Sequence, residues 1–304
     1  MTYSSGNTIL AADYNSFVST VNTVIGNSAS YQSGSGYGQS SLSTVATSAT
    51  VTAAQWAALM TAVSNAATHQ GTSINIGSNP ATGDIIEALD GTTAGSGTLN
   101  LSSAVTAINT NANNVAAGQQ TTVAGSATST QSGGWGVGST SISTEYYIQF
   151  ASQVAADAFF NTGGEVHLTF QHPNGATAQD NDWRDIFNNK IGTLKLEKAA
   201  ISRTGSSGTI AALGYTTLTG AYQAIFTGTN IGGGAYGAND VLVESYLDTT
   251  NHRVYFRVTL SDQHTAVSPS TADNVATGTA VSTGFRKSTV YAPATPSVTV
   301  VSGF

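Results

Sequence analysis

The chain has 304 residues, nine Lys and Arg against sixteen Asp and Glu, a net charge of −7 and no cysteine. An acidic balance without a basic cluster argues against nucleic-acid binding, which needs cations to displace phosphate counterions. Without cysteine there is no disulfide, thiolate catalyst or Cys-ligated zinc, and no apolar run approaches the roughly 20 residues of a membrane span.

From the N-terminus, Met1 to Asn7 shows neither the basic segment nor the apolar run of a signal peptide. Leu10, Tyr14, Phe17, Val21 and Val24 then recur at the spacing of one helix face, with Gly26 as the stop. Residues 27–48 are dense in Ser and Gly and read as a loop. A second helix opens at Thr52-Ala-Ala-Gln55, a capping-box pattern. It carries Trp56, Leu59, Met60, Val63 and Ala67 on one face and closes at Gly71. After an irregular stretch holding Asp84, Glu87 and Asp90, a third helix is predicted from about Asn100 to Ala117. Its stripe of Leu101, Val105, Ile108, Ala112 and Val115 is heptad-like, so the three helices form a bundle within one chain or across a symmetry axis. These five residues are the candidate assembly interface, and a homotrimer about that seam is the favoured association.

Tyr3-Ser-Ser-Gly-Asn7 with Ile9, Asp13-Tyr-Asn15, Gly36-Tyr-Gly-Gln39 and Val51-Thr-Ala-Ala-Gln-Trp56 resemble, in order, the start of a group of virion structural proteins. The group belongs to marine tailed phages, notably those infecting cyanobacteria, and the match covers roughly the first 70 residues. The resemblance implies a protein made in the host cytoplasm and built into the particle (fibre, neck, tail or head surface) through its N-terminal part. It brings no activity with it.

Residues 119–144 are Gly, Ser and Thr with little large apolar surface, which reads as a linker. Beyond it the pattern turns to short strands. Glu145–Phe150 is a strand, and Gln153–Phe160 is a short helix capped by Ser152 and ended by Gly163-Gly164. Glu165–Phe170 and Thr193–Lys198 alternate as strands on either side of a helix from Trp183 to Ile191. Val241–Leu247 and His252–Leu260 form a hairpin around Asp248-Thr-Thr-Asn251, with Asp248 expected opposite Asn251. That pairing lines Val241, Val243, Ser245, Val254, Phe256 and Val258 on one face and sets Glu244 diagonal to Arg253 and Arg257. Further strands are expected at 208–218, 222–226, 281–291 and 297–301.

The expected fold is therefore α+β and multidomain. A helical bundle module spans 1–118, a linker 119–144, and an antiparallel β-sandwich or jelly-roll-like domain 145–304.

Chemical motifs are weak throughout. Gly232-Gly-Gly234-Ala-Tyr-Gly237 satisfies the dinucleotide-loop spacing, but a strand follows where a helix is required, so it reads as a turn. His167 and His172 lack a third ligand at workable spacing. Asp180, Asp182 and Asp185 lack the Gly and distal Glu of a calcium-hand loop, and helix capping accounts for them. No nucleophile elbow and no paired carboxylates stand out, so no catalytic residue, metal or cofactor is assigned. Tyr215, Tyr222, Tyr236 and Trp135 are candidates for stacking on a host-surface glycan.

Charge offers the last clue. Only 8% of residues are charged, against about 25% in ordinary soluble domains. All nine basic residues lie at Arg184 or later, and residues 1–144 hold four acids. Either a Ser/Thr/Asn/Gly surface is solvated without ions, or neighbouring subunits cover it. The second reading is preferred, because charges are depleted where surface is desolvated. Together these features point to a non-enzymatic structural component of a tailed-phage virion. Its partners are other virion proteins and copies of itself, and the rival reading is a glycan-binding adhesin.

Overall fold

The computed structural model describes residues 11–77, 79, 101–123, 127–138, 140–173, 175, 177–265 and 274–304. Helices lie in the N-terminal part and antiparallel sheets in the C-terminal part, an α+β arrangement. Among the described residues no helix is long and apolar enough to cross a membrane. Leu10, Asn100, Tyr3 to Ile9 and the acidic piece 84–90 lie outside the described residues.

The chain divides into two compact units that are not simple segments. One unit gathers 1–121, 157–163 and 288–293; the other holds 122–156, 164–287 and 294–304. The expected boundaries follow chain order, but two later pieces are built into the helical unit. Asp157 accepts hydrogen bonds from Ser28 Oγ at 2.8 Å and Gln32 N at 2.9 Å. Asn161 Nδ2 donates to Ser35 O at 2.8 Å.

In the helical unit, α1 (Ala11–Ile25), α2 (Ala53–Gln70) and α3 (Leu101–Thr110) each pack on the other two. The Thr52 box forms as the sequence predicts: Gln55 N donates to Thr52 Oγ1 and Thr52 N to Gln55 Oε1. Gly71 takes φ +69° and closes α2 in the left-handed conformation that favours glycine. The loop after α1 is pinned by two asparagines seven residues apart. Asn15 and Asn22 each make a reciprocal amide pair with the backbone, at Val45 and Leu42 respectively. Tyr14, Phe17 and Val21 meet Trp56, Leu59 and Val63 in one core.

Leu101, Val105 and Ile108 belong to that same core, at 4%, 4% and 0% exposure. Ala112 is half-buried against it, and the helix ends at Thr110, well short of Ala117, so Ala112 and Val115 lie beyond it. The helical part of the proposed trimer seam, Leu101, Val105 and Ile108, is thus covered by α1 and α2 of its own chain. Heptad spacing shows that a face is buried; it does not show what buries it.

The second unit is built on two six-stranded sheets. Their strands are β1 (Gln120–Val123), β2 (Thr128–Thr130), β3 (Ser141–Gln149), β4 (Glu165–Gln171), β5 (Thr193–Leu196) and β6 (Ile201–Arg203). They continue with β7 (Thr209–Ile210), β8 (Gln223–Gly228), β9 (Asp240–Asp248), β10 (Arg253–Ser261), β11 (Ala280–Ser288) and β12 (Ser297–Ser302). The first sheet runs β1-β11-β4-β5-β6, with β2 also on β11; the second runs β12-β3-β10-β9-β8-β7. Helix α5 (Ala178–Asp185) accompanies them, while α4 (Gln153–Asn161), capped by Ser152 Oγ as expected, begins in this unit and from Asp157 on belongs to the helical one.

The stretch 119–144 is not a free linker, since it supplies β1, β2 and the start of β3. Within it Trp135 is 5% exposed, exchanges backbone hydrogen bonds with Val275 and packs on Trp183 at 4.9 Å. Its few apolar atoms could not order it alone; the ladder on β11 and the distant Trp183 do.

The helix expected at Trp183–Ile191 starts earlier, from a Thr177–Asp180 capping box, and a wider π turn completes it over Ile186–Ile191. Of the strand expected at 208–218 only Thr209–Ile210 forms, and Ile201–Arg203 is a strand that alternation did not reveal.

The hairpin forms with the predicted faces but with its register two residues further out, Asp248 opposite Arg253. Asp248 Oδ1 accepts from Thr250 N and Asn251 N, and His252 takes φ +57°, so the turn needs four residues instead of two. A shift of two preserves which side chains face inward. It also brings Glu244 directly opposite Arg257, instead of diagonal to it.

Candidate functional site

The outward face of the second sheet carries the most distinctive surface among the described residues. Inward positions on β3, β10 and β9 are Tyr146, Ile148, Val254, Phe256, Val258, Val243 and Ser245, all buried. The alternate positions face away from that core. Tyr147 pairs with Tyr255 and Tyr255 with Tyr246, so one tyrosine from each of three adjacent strands falls in a single row. Tyr222, just before β8, extends the row beside Tyr246. Arg257, Glu145 and Glu244 form the neighbouring row, while Arg253, Gln149 and Asp248 flank the other side. All these side chains are half-buried, Asp248 included.

The rings hold one another in place. Tyr246 and Tyr255 stack at 4.5 Å and 7°, Tyr147 tilts against Tyr255 at 5.5 Å, and Tyr222 meets Tyr246 edge-on at 4.7 Å. The Arg253 guanidinium lies 4.1 Å over the Tyr147 ring, donating to Gln149 Oε1 and Tyr255 Oη. Arg257 lies 4.1 Å over Tyr222 and grips Glu244 Oε2 through Nε and Nη2, at 2.8 and 2.7 Å. Desolvation, with Tyr255 close by, pushes the Tyr246 hydroxyl up to about 12. Burial and Glu145 raise that of Tyr222 as well, so these two hydroxyls are neutral near pH 7.

This geometry limits what the surface offers a partner. One face of each of the four rings is engaged by a neighbouring ring or guanidinium, which reduces the aromatic face left for stacking on a sugar. The surface combines tyrosine rings and guanidinium groups on a fixed frame. That is the amphipathic Tyr/Arg composition enriched where proteins meet proteins.

The other glycan candidates are core residues: Tyr215, Tyr236 and Trp135 are 1%, 5% and 5% exposed. Of that set Tyr222 alone belongs to the surface. Tyr147, Tyr246 and Tyr255 were missed, although they occupy the outward parity of strands whose inward parity the sequence revealed.

The remaining motifs resolve into structure. His167 Nε2 meets Glu165 Oε2 at 2.7 Å, and Lys195 and Arg286 hold the same carboxylate. Burial opposes ionisation of Glu165, but His167 and the two cations outweigh it and lower its pKa. His172 has different neighbours. Trp135 Nε1 donates to Thr279 Oγ1, Thr279 Oγ1 lies 3.1 Å from His172 Nδ1, and His172 Nε2 lies 3.2 Å from Asp180 Oδ1. Donation from Thr279 to Nδ1 and from Nε2 to Asp180 satisfies every partner with a neutral imidazole, and burial keeps its pKa down. The order is that of a nucleophile, base and orienting acid. However, Thr279 is fully buried, so its hydroxyl meets no incoming substrate.

Asp180, Asp182 and Asp185 have separate partners: Ala276 N and His172, Gly233 N, and Asn189 with Lys190. Among the described residues no group of three such side chains could hold a metal ion. In the glycine-rich turn, a Cβ at Gly232 would lie 1.8 Å from Tyr236 O. Glycine there serves close packing of backbone on backbone, and β9 follows the turn as expected.

No known protein family, curated protein or solved structure matches this chain.

Proposed function

We propose that this chain is a non-enzymatic structural component of a tailed-phage virion and contacts another virion protein through the tyrosine–arginine face of its second sheet. The observation that carries this reading is the interlocked row Tyr147, Tyr255, Tyr246 and Tyr222 with Arg253 and Arg257. Such a surface is fixed before binding, so few rotamers remain to be frozen on association. The scarcity of charge, and the resemblance of the first 70 residues to phage virion proteins, agree with a life spent against other subunits. The helical unit, a small three-helix bundle, is the attachment module. The two sheets pack as a sandwich, for which the support is Tyr146 of β3: its hydroxyl donates to Val281 O on β11 at 2.5 Å and accepts from Ser129 N on β2.

The test is virion assembly with Tyr246→Ser and Arg257→Ser together. Both side chains are half-exposed, so the fold should survive. Removing two central contacts of a protein interface costs about 2 kcal/mol or more each. Copy number per particle, counted by mass spectrometry, should fall sharply while circular dichroism stays unchanged and hydrogen exchange inside the sheet reports a loss of only about 1–2 kcal/mol. Normal incorporation, with lost binding to host glycans instead, would move the assignment to an adhesin.

A further inference from the structure

Among the described residues the second sheet ends on β12, and that edge is unlike the others. β1, β6 and β7 are edges of four, three and two residues, while β12 has six. Exposed strand edges are normally blunted by charge, proline, brevity or a bulge. Here residues 288–304 contain no charged side chain, Val301 is 51% exposed, and the one protection inside the strand is a bulge between Val300 and Ser302.

Val298 and Val300 stand opposite Ile148 and Tyr146, which are fully buried, so they point toward the core side. They are nevertheless half-exposed, because β12 is the last strand of its sheet. A further strand would cover them.

We infer that β12 pairs antiparallel with β12 of a second copy of this chain, about a two-fold axis through Thr299. Directly opposed residues share a face, so the axis must pass through a residue and not between two. At Thr299 it sets Val298 against the partner's Val300, Val300 against the partner's Val298, and Thr299 against the partner's Thr299. That makes two apolar pairs on the core side and a threonine pair on the other. An axis at Val300 would instead place Val298 against the partner's Ser302, across the bulge. A second copy suits the edge because the strand is self-complementary. Two molecules of net charge −7 can also approach there without opposing like charges. The inference does not rest on what the tyrosine face binds.

A chain without cysteine offers a direct test. Thr299→Cys introduces a single thiol at an exposed position, and opposed cross-strand residues bring their Cβ atoms to about 4.5–5.5 Å, near disulfide range. The full chain should sediment as a dimer, and the variant should form a covalent dimer under mild oxidation. Val137→Cys, at a site 62% exposed, should not. Thr299→Lys, which faces two ammonium groups across the axis, should be monomeric with unchanged hydrogen exchange in β3 and β10. A monomeric wild-type protein, cross-linking at 299 no faster than at 137, or a dimeric Thr299→Lys would each overturn the pairing.

Discussion

His69 should make the helical unit acid-labile. Its ring is fully buried near the C-terminal end of α2, 5.2 Å from both the Tyr37 and Tyr291 rings. Nδ1 lies 3.3 Å from Ser288 Oγ, and Nε2 is buried with no hydrogen-bond partner among the described residues. Donation from Ser288 to Nδ1 leaves the ring neutral, with its proton on Nε2. Among the described residues no carboxylate contacts it, and Tyr37 and Tyr291 are themselves neutral, so only the C-terminal end of α2 favours an imidazolium and burial outweighs it. Burial lowers the pKa from 6.5 to about 4. The unfolded chain therefore binds the proton first, and stability is full above pH 6.5 and declines as pH falls from 6.5 toward 4. At about 1.4 kcal/mol per unit, the loss between pH 7 and pH 5 is about 2 kcal/mol. Peptide-resolved hydrogen exchange over α2 measures it, and His69→Phe removes the titrating group from a box already lined by rings. The wild type should lose protection across that interval and the variant should lose about 2 kcal/mol less. Equal pH dependence in the two proteins would refute the argument.

Two further outcomes test the second unit. Phe256→Ala empties a fully buried inward position of β10 and should cost about 3–5 kcal/mol, while Tyr255→Ala, on the outward face, should cost about 1 kcal/mol from its ring contacts. Hydrogen exchange of β3, β9 and β10 in the full chain separates them, and equal losses would contradict the assignment of faces. Gly232→Ala should destabilise the β8–β9 connection by about 1–3 kcal/mol with no nucleotide present, since its Cβ would strike Tyr236 O. Unchanged protection in β8 and β9 would mean that the turn adjusts freely.

What the sequence determined is local. Thr52 and Gln55 cap α2 because a hydroxyl and an amide three residues apart need no help from elsewhere. The inward set of the hairpin follows from a period of two, which survives even the two-residue error in register, because parity and not pairing chooses the face. The same parity held the tyrosine row, but a row needs the alignment of β3, β10, β9 and the approach to β8. The first of those segments in the chain lies more than a hundred residues from the last, and only hydrogen bonding between strands aligns them. Composition read 119–144 as linker because it counts the apolar atoms a segment owns and not the partners it finds. β11 and Trp183 supply the ladder and the packing surface that its glycines and serines lack. The third helix shows the same limit. Its spacing fixed that Leu101, Val105 and Ile108 share a face, whereas burial of that face depended on α1 and α2, and burial is a property of neighbours.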